Sequence, residues 1–178
     1  ADYVEAWCVQ QGIQFRKRVI TECKRGVTAR DVYEKLSREI RYAFYQEAVD
    51  QDGVQAVMFG HHQGDLQENV ISNLMKRCQL LDIAGMAVED VSSDVTIWRP
   101  LLPHVKDEIL AFAHQYGVPY FKDTTPAWST RGSMRNQLQP LLADMYGSGY
   151  LQNLSSLAEH SCQMSELVHV HILEPFLK

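Results

Sequence analysis

No C-x-x-C pair occurs in the 178 residues: Cys8, Cys23, Cys78 and Cys162 are scattered, which excludes a zinc-knuckle or iron–sulfur ligand set built on paired cysteines. Isolated thiols of this kind suit a reducing compartment, and a cytoplasmic protein is expected. No apolar run approaches the roughly 18–20 residues that cross a bilayer, and no charged, then apolar, then small-residue leader opens the chain, so no membrane association is expected. Internal repeats and low-complexity segments are also lacking. Nor is there an excess of positive charge: the net charge is −5, which argues against a dedicated nucleic-acid binder. Arg16-Lys17-Arg18, Lys24-Arg25 and Lys76-Arg77 are local basic groups that could contact phosphate or simply face solvent.

What remains is globular composition, 46% hydrophobic and 22% charged, in a length that fits one ordinary domain with a C-terminal extension. Tyr3, Val4, Trp7 and Cys8 have helical spacing that stops at Gly12, and Ile13-Gln14-Phe15 through Val19-Ile20 alternates as a short strand would. Thr28 offers an N-cap with Asp31 three residues on, and Val32, Leu36, Ile40, Ala43, Phe44 and Ala48 mark one face of a helix ending before Asp52-Gly53. Val54 to Phe59 reads as a strand buried on both faces. Asp65 could cap the helix that follows, with Leu66, Val70, Leu74, Cys78 and Leu81 as its apolar face. Val95 to Trp98 predicts another strand, and Val105, Ile109, Phe112, Ala113 and Tyr116 another helix. The order predicts an α/β fold, a Rossmann-like open parallel sheet whose functional residues gather at the carboxyl ends of strands. A long turn-rich loop spans 117–132, and helical spacing returns from Ser133 to Tyr146 and from Leu151 to Val168, broken at Gly147-Ser148-Gly149.

The chemistry-bearing stretch is FGHHQGDLQENVISNLMKR, Phe59 to Arg77, where an apolar run becomes a helix. With a helix start near Gln63, Asp65 and Glu68 share a face and His61 and His62 stand at its mouth. Free backbone N–H groups at a helix start attract phosphate, whereas carboxylates there repel it unless a cation such as Mg²⁺ intervenes. Two other readings stay open. The acids could complement the helix dipole while the histidines cap it, or histidine and carboxylate could hold zinc or iron, with His169 and His171 as distant candidates. A second polar group comprises Lys122, Asp123, Ser129, Thr130, Arg131, Ser133, Arg135 and Asn136. Arg131 and Arg135 lie four apart and could share one side of a helix start, where guanidinium groups recognise phosphate in a bidentate manner.

HHQGDLQEN resembles the HHxxDDQxET segment of the PP-loop ATP pyrophosphatases. Gly85-Met86, Arg99-Pro100-Leu101-Leu102, and Asp123 followed by Arg135-Asn136 and Pro140-Leu141-Leu142 are similar to the tRNA(Ile)-lysidine synthetase branch, as is Arg41-Tyr42-Ala43-Phe44. The likeness runs from about residue 1 to 145. It implies an adenine-nucleotide α-hydrolase-like fold, a partial PP-loop domain over 1–146, and a helical extension or linker over 147–178. It also implies an ATP-dependent ligase that adenylates a tRNA base, the wobble cytidine, for attack by lysine. ATP and Mg²⁺ would be its cofactors, and tRNA, ATP and lysine its partners. A noncatalytic subunit that binds tRNA or a partner, and a tRNA thiolation enzyme, are the alternatives.

Carried over by position, His61, Asp65 and Arg135 would be catalytic, Arg135 steadying transition-state charge. His61, His62, Glu68 and Arg131 would bind the nucleotide, and Asp65 would hold the metal. The chain departs from the pattern at Gly64, Leu66 and Asn69, where aspartate, glutamine and threonine are usual. It also lacks the S-G-G-x-D-S loop that cradles pyrophosphate. The expectation is a piece of a longer enzyme that alone binds ATP weakly and is inactive.

Overall fold

The computed structural model describes residues 1–76, 78–121 and 124–177. Two compact units make up the chain, one of residues 1–57 and 91–96 and one of residues 58–90 and 97–178. The elements, in chain order, are α1 (Asp2–Gln10), α2 (Arg30–Asp52), β1 (Val57–Met58), α3 (Gln63–Met75), β2 (Glu89–Ser92), β3 (Val95–Trp98), α4 (Lys106–Tyr116), α5 (Thr130–Ser133), α6 (Gln139–Tyr146), α7 (Gly149–Val168) and α8 (Glu174–Leu177). Short 3₁₀ and π turns join some of them.

In the first unit, α2 runs its full expected length and stops where Gly53 adopts φ +64°, a left-handed C-cap open to glycine at no steric cost. Its N-cap is Ala29, not Thr28, whose hydroxyl instead accepts from the Lys24 N–H. Tyr42 is the residue of α2 that becomes buried, while Val32 and Ala43 stay exposed. Residues 13–20 form neither helix nor strand, since a ladder needs a neighbouring edge. Side-chain pairs hold that run instead: Arg16 reaches Asp52 at 2.6 Å and Lys17 reaches Glu5 at 2.9 Å. With Arg18 paired to Glu22 as well, this basic group is neutralised locally.

The strands form a sheet in the order β1-β3-β2. β2, absent from the expected pattern, is joined to β3 by Ser93 and Asp94, both with positive φ (51° and 61°). A two-residue turn with both φ positive belongs to an antiparallel hairpin, so β2 is an antiparallel edge on the α/β sheet. Val95 and Ile97 of β3 are fully buried. β1 is shorter than expected, and Met58 is 66% exposed, so it is not covered on both faces.

In the second unit, α3 packs on α7 around Val70, Ala84 and Ala158, with Leu66, Leu154 and Leu157 against them. Burying a side chain such as Val70 contributes about 1.5–3 kcal/mol. Leu74 and Cys78 do not extend this face: the helix ends at Met75, and both side chains are exposed. Polar bonds fix the same packing. Gln67 donates to Leu151 O (3.1 Å) and to Ser155 Oγ (3.0 Å), and Ser161 Oγ donates to Leu80 O (2.8 Å) while accepting from the Ile83 N–H. Residues beyond 147 thus lie directly on the helix that carries the candidate site. In α4, Ala113 is buried but Phe112 and Tyr116 are exposed and stack on each other, so the inward face is narrower than the spacing predicts.

Candidate functional site: an arginine–carboxylate cluster at the start of α3

Helix α3 begins at Gln63, as its spacing predicts, with His62 as N-cap. The His62 Nδ1 accepts from the Gly64 N–H (3.0 Å), and the His62 N–H donates to Asp65 Oδ2 (3.1 Å), a reciprocal capping arrangement. Asp65 is therefore not the cap but its partner one turn in. The cap also answers the phosphate question, because Gln63 N–H is spent on His104 O (2.9 Å) and Gly64 N–H on the imidazole. Those N–H groups are not open to a phosphate in this arrangement. Gly64 permits the fold-back: a Cβ there would lie 2.8 Å from His62 Cε1. The aspartate usual in the resembling family would need the imidazole to move.

Asp65 and Glu68 are both buried, and neither serves merely as a complement to the helix dipole. Arg135 grips Glu68 with Nε and with Nη2 (3.2 Å), donates from Nη2 to Asp65 Oδ1 (3.3 Å), and reaches Thr125 Oγ1 through Nη1 (3.1 Å). Its guanidinium is held further into the charged form by the Glu68 hydrogen bond. Arg131 approaches the same carboxylates at 3.4 Å from Asp65 and 3.7 Å from Glu68, with its side chain 46% exposed. Two carboxylates and two guanidiniums thus balance in a low-dielectric pocket, with Arg131 on the solvent side.

The arginines are aimed by their helix. Ser129 caps α5, its Oγ accepting from the Gly132 N–H (3.0 Å), and the helix widens into a π turn at Met134–Leu138 before α6. Pro140 has no N–H with which to continue an i to i−4 ladder, which is the physical cause of the widened turn. Lys122 and Asp123 of the expected polar group, like Arg77, lie outside the described residues.

His61 is half-buried beside Phe59, with ring centroids 5.5 Å apart at 83°. Arg99 Nε donates to its Nδ1 at 3.3 Å. Burial pushes the His61 pKa below its ordinary value; Asp65 opposes that shift and Arg99, Arg131 and His62 reinforce it.

Magnesium at Asp65 does not suit this donor set: one carboxylate oxygen faces two guanidiniums and the other a backbone N–H. Among the described residues, no three His, Cys, Asp or Glu side chains gather as metal ligands. Arg99, Thr125 and the Asn69 and Asn73 amides were not assigned to the site from sequence. The signal for Arg99 was the Arg99-Pro100-Leu101-Leu102 segment at a strand end, which resembles the lysidine synthetase branch.

The PP-loop domain family matches residues 1–142, and the chain belongs to that family. Among curated proteins it is similar to the tRNA(Ile)-lysidine synthases of Chlamydia pneumoniae (29% identical; 93% of this chain, 52% of the relative) and Chlorobaculum tepidum (26%; 96% and 51%). The synthase of Chlamydia muridarum is 30% identical over 75% of this chain and 42% of its own length. The chain spans about half the length of the curated relatives it matches. Among solved structures, its fold is similar to that of the U34-tRNA thiolase NcsA from Methanococcus maripaludis with its [4Fe-4S] cluster (TM-score 0.63, 18% identity, 91% of this chain and 55% of that one). The expected PP-loop nucleotide α-hydrolase-like fold is thereby borne out. No helix among the described residues is long and apolar enough to cross a membrane.

Proposed function

We propose that the chain is part of an ATP-dependent tRNA-modifying ligase of the lysidine synthetase type. The observation that carries this reading is the joining of Asp65 and Glu68 on α3 to Arg131 and Arg135 from the far end of the domain, in a chain whose curated relatives are tRNA(Ile)-lysidine synthases. ATP would supply an adenylyl group to the carbonyl oxygen of the wobble cytidine with release of pyrophosphate, and the lysine amine would then displace AMP from the activated base carbon.

The residues divide the work by charge and exposure. Arg131, half-exposed and only loosely held by the carboxylates, meets phosphate oxygens. Arg135 is locked by Glu68, Asp65 and Thr125, so its guanidinium steadies developing negative charge without reorganising. Asp65 orients both arginines and the capping His62, and His61 offers a hydrogen bond to the nucleotide. We assign the nucleotide domain to 1–146 and treat 147–178 as an extension docked on α3.

ATP–pyrophosphate exchange by the full-length gene product, with and without bulk tRNA, tests this reading. Exchange that requires tRNA and falls roughly 100-fold or more in His61→Ala and Arg135→Ala is expected. Intact tRNA binding without exchange would replace the ligase with a noncatalytic tRNA-binding subunit.

A further inference from the structure

Arg99 is 6% exposed, yet it lies outside the cluster of Asp65, Glu68, Arg131 and Arg135. Its guanidinium is held from several sides. Nη1 donates to Ala87 O (2.8 Å), Nη2 lies 3.6 Å from Asp90 Oδ2, and the group stands 6.0 Å over the Phe59 ring. The segment that supplies Ala87 is itself braced by α3: Asn69 donates to Ala84 O (2.7 Å) and Asn73 to Ile83 O (3.0 Å). Between them Gly85 turns with φ +59°, and a Cβ at that position would meet the Asn69 amide at 2.6 Å. Asn69 and Gly85 are thus a matched pair that fixes the turn bearing Ala87.

The remaining guanidinium nitrogen, Nε, points at His61 Nδ1. Every guanidinium nitrogen is a donor and none is an acceptor, so a ring nitrogen bonded to it carries no proton. A neutral imidazole has a single N–H, which must then sit on Nε2.

We infer that Arg99 is the positioning residue for His61, fixing it as the Nε2–H tautomer so that the imidazole presents a neutral N–H donor to an anionic oxygen of the nucleotide. The second half of this statement rests on the proposed nucleotide site; the first half does not. Arg99 gives the site a donor that adds no further positive charge to the two guanidiniums already present. Burial of His61 acts in the same direction, against the charged ring. The groups facing it are Asp65 from α3, His62 from the helix cap, Arg131 from α5 and Arg99 itself.

The test is nitrogen-15 NMR of histidine-labelled full-length protein, the His61 signals being those missing from His61→Gln. The expected result is an unprotonated Nδ1 and a protonated Nε2 in the wild type, giving way to a mixture of tautomers or to imidazolium in Arg99→Met. Arg99→Lys is expected to restore the pattern only partly, because an ammonium cannot serve Ala87 and His61 in one plane. A protonated Nδ1 in the wild type overturns the inference, and so does a tautomer unchanged in both Arg99 variants. If Arg99→Met fails to fold, Arg99→Lys carries the comparison, and a protonated Nδ1 in the wild type overturns the inference by itself.

In the exchange assay, Arg99→Met and His61→Gln are each expected to lose about 10-fold or more, and the double variant to fall no further than about twofold below His61→Gln. Losses that multiply would overturn the coupling. If the wild type shows no exchange, the ligase reading fails, while the spectrum still decides the role of Arg99.

Discussion

Replacing Arg135 by methionine keeps the bulk of the side chain and removes the charge that neutralises Glu68, whose side chain is 4% exposed. Removing one partner of a buried ion pair costs about 3–5 kcal/mol, because the other charge is left in a low-dielectric site. Two features reduce that figure here. Arg135 is itself 28% exposed, and Arg131 remains 3.7 Å from Glu68. A loss of about 2–3 kcal/mol is expected, which for a chain of this size lowers the melting temperature by roughly 5–10 °C. Arg135→Lys recovers little, since an ammonium cannot grip Glu68 while also reaching Asp65 and Thr125. Combining Arg135→Met with Glu68→Gln removes both charges and should cost at least about 1 kcal/mol less than the sum of the single changes. Urea unfolding followed by circular dichroism gives all four values. A loss below about 0.5 kcal/mol for Arg135→Met would show that Glu68 is not desolvated as described, and the account of the cluster would fall.

Three further outcomes can be checked with the same unfolding assay. Gly132→Ala would place a Cβ 2.2 Å from Pro126 O and 2.9 Å from Ala127 backbone atoms, none of which can swing away, so a loss of about 1–3 kcal/mol is expected; a neutral result refutes the close approach. Gly85→Ala forces φ +59° on a residue with a Cβ and crowds Asn69, for about 1–3 kcal/mol, and an Asn69→Ala background should relieve part of that loss. His61 has a pKa depressed below 6.5 by burial, so the unfolded chain takes up the proton first. The associated stability is complete above pH 6.5 and is lost as pH falls towards the folded-state value. The urea midpoint should therefore drop between about pH 7.5 and pH 5.5 in the wild type and drop less in His61→Gln; equal drops would refute the assignment.

Much of this protein is legible along the chain, for reasons that are local. The helical period and the glycines at 53 and 117 fix α2 and α4 with their left-handed caps, because those signals act within a turn or two. The change from apolar run to polar helix start at Phe59 to Asp65 likewise placed His61, His62, Asp65 and Glu68 correctly at the mouth of α3. Which of them caps and which pairs was not legible, because Asp65 and His62 are both competent caps and only Gly64 leaves room for the imidazole. The alternation at 13–20 promised a strand that does not form, since a strand exists only where another edge can bond it. Distance along the chain hides the rest. Arg135 meets Glu68 across 67 positions and Arg99 meets His61 across 38, and no periodicity reports such pairs. The sequence by itself determined the order of elements and the supply of charged groups. Tertiary packing decided which charges are desolvated together, and in a low-dielectric interior that choice fixes each group's partner.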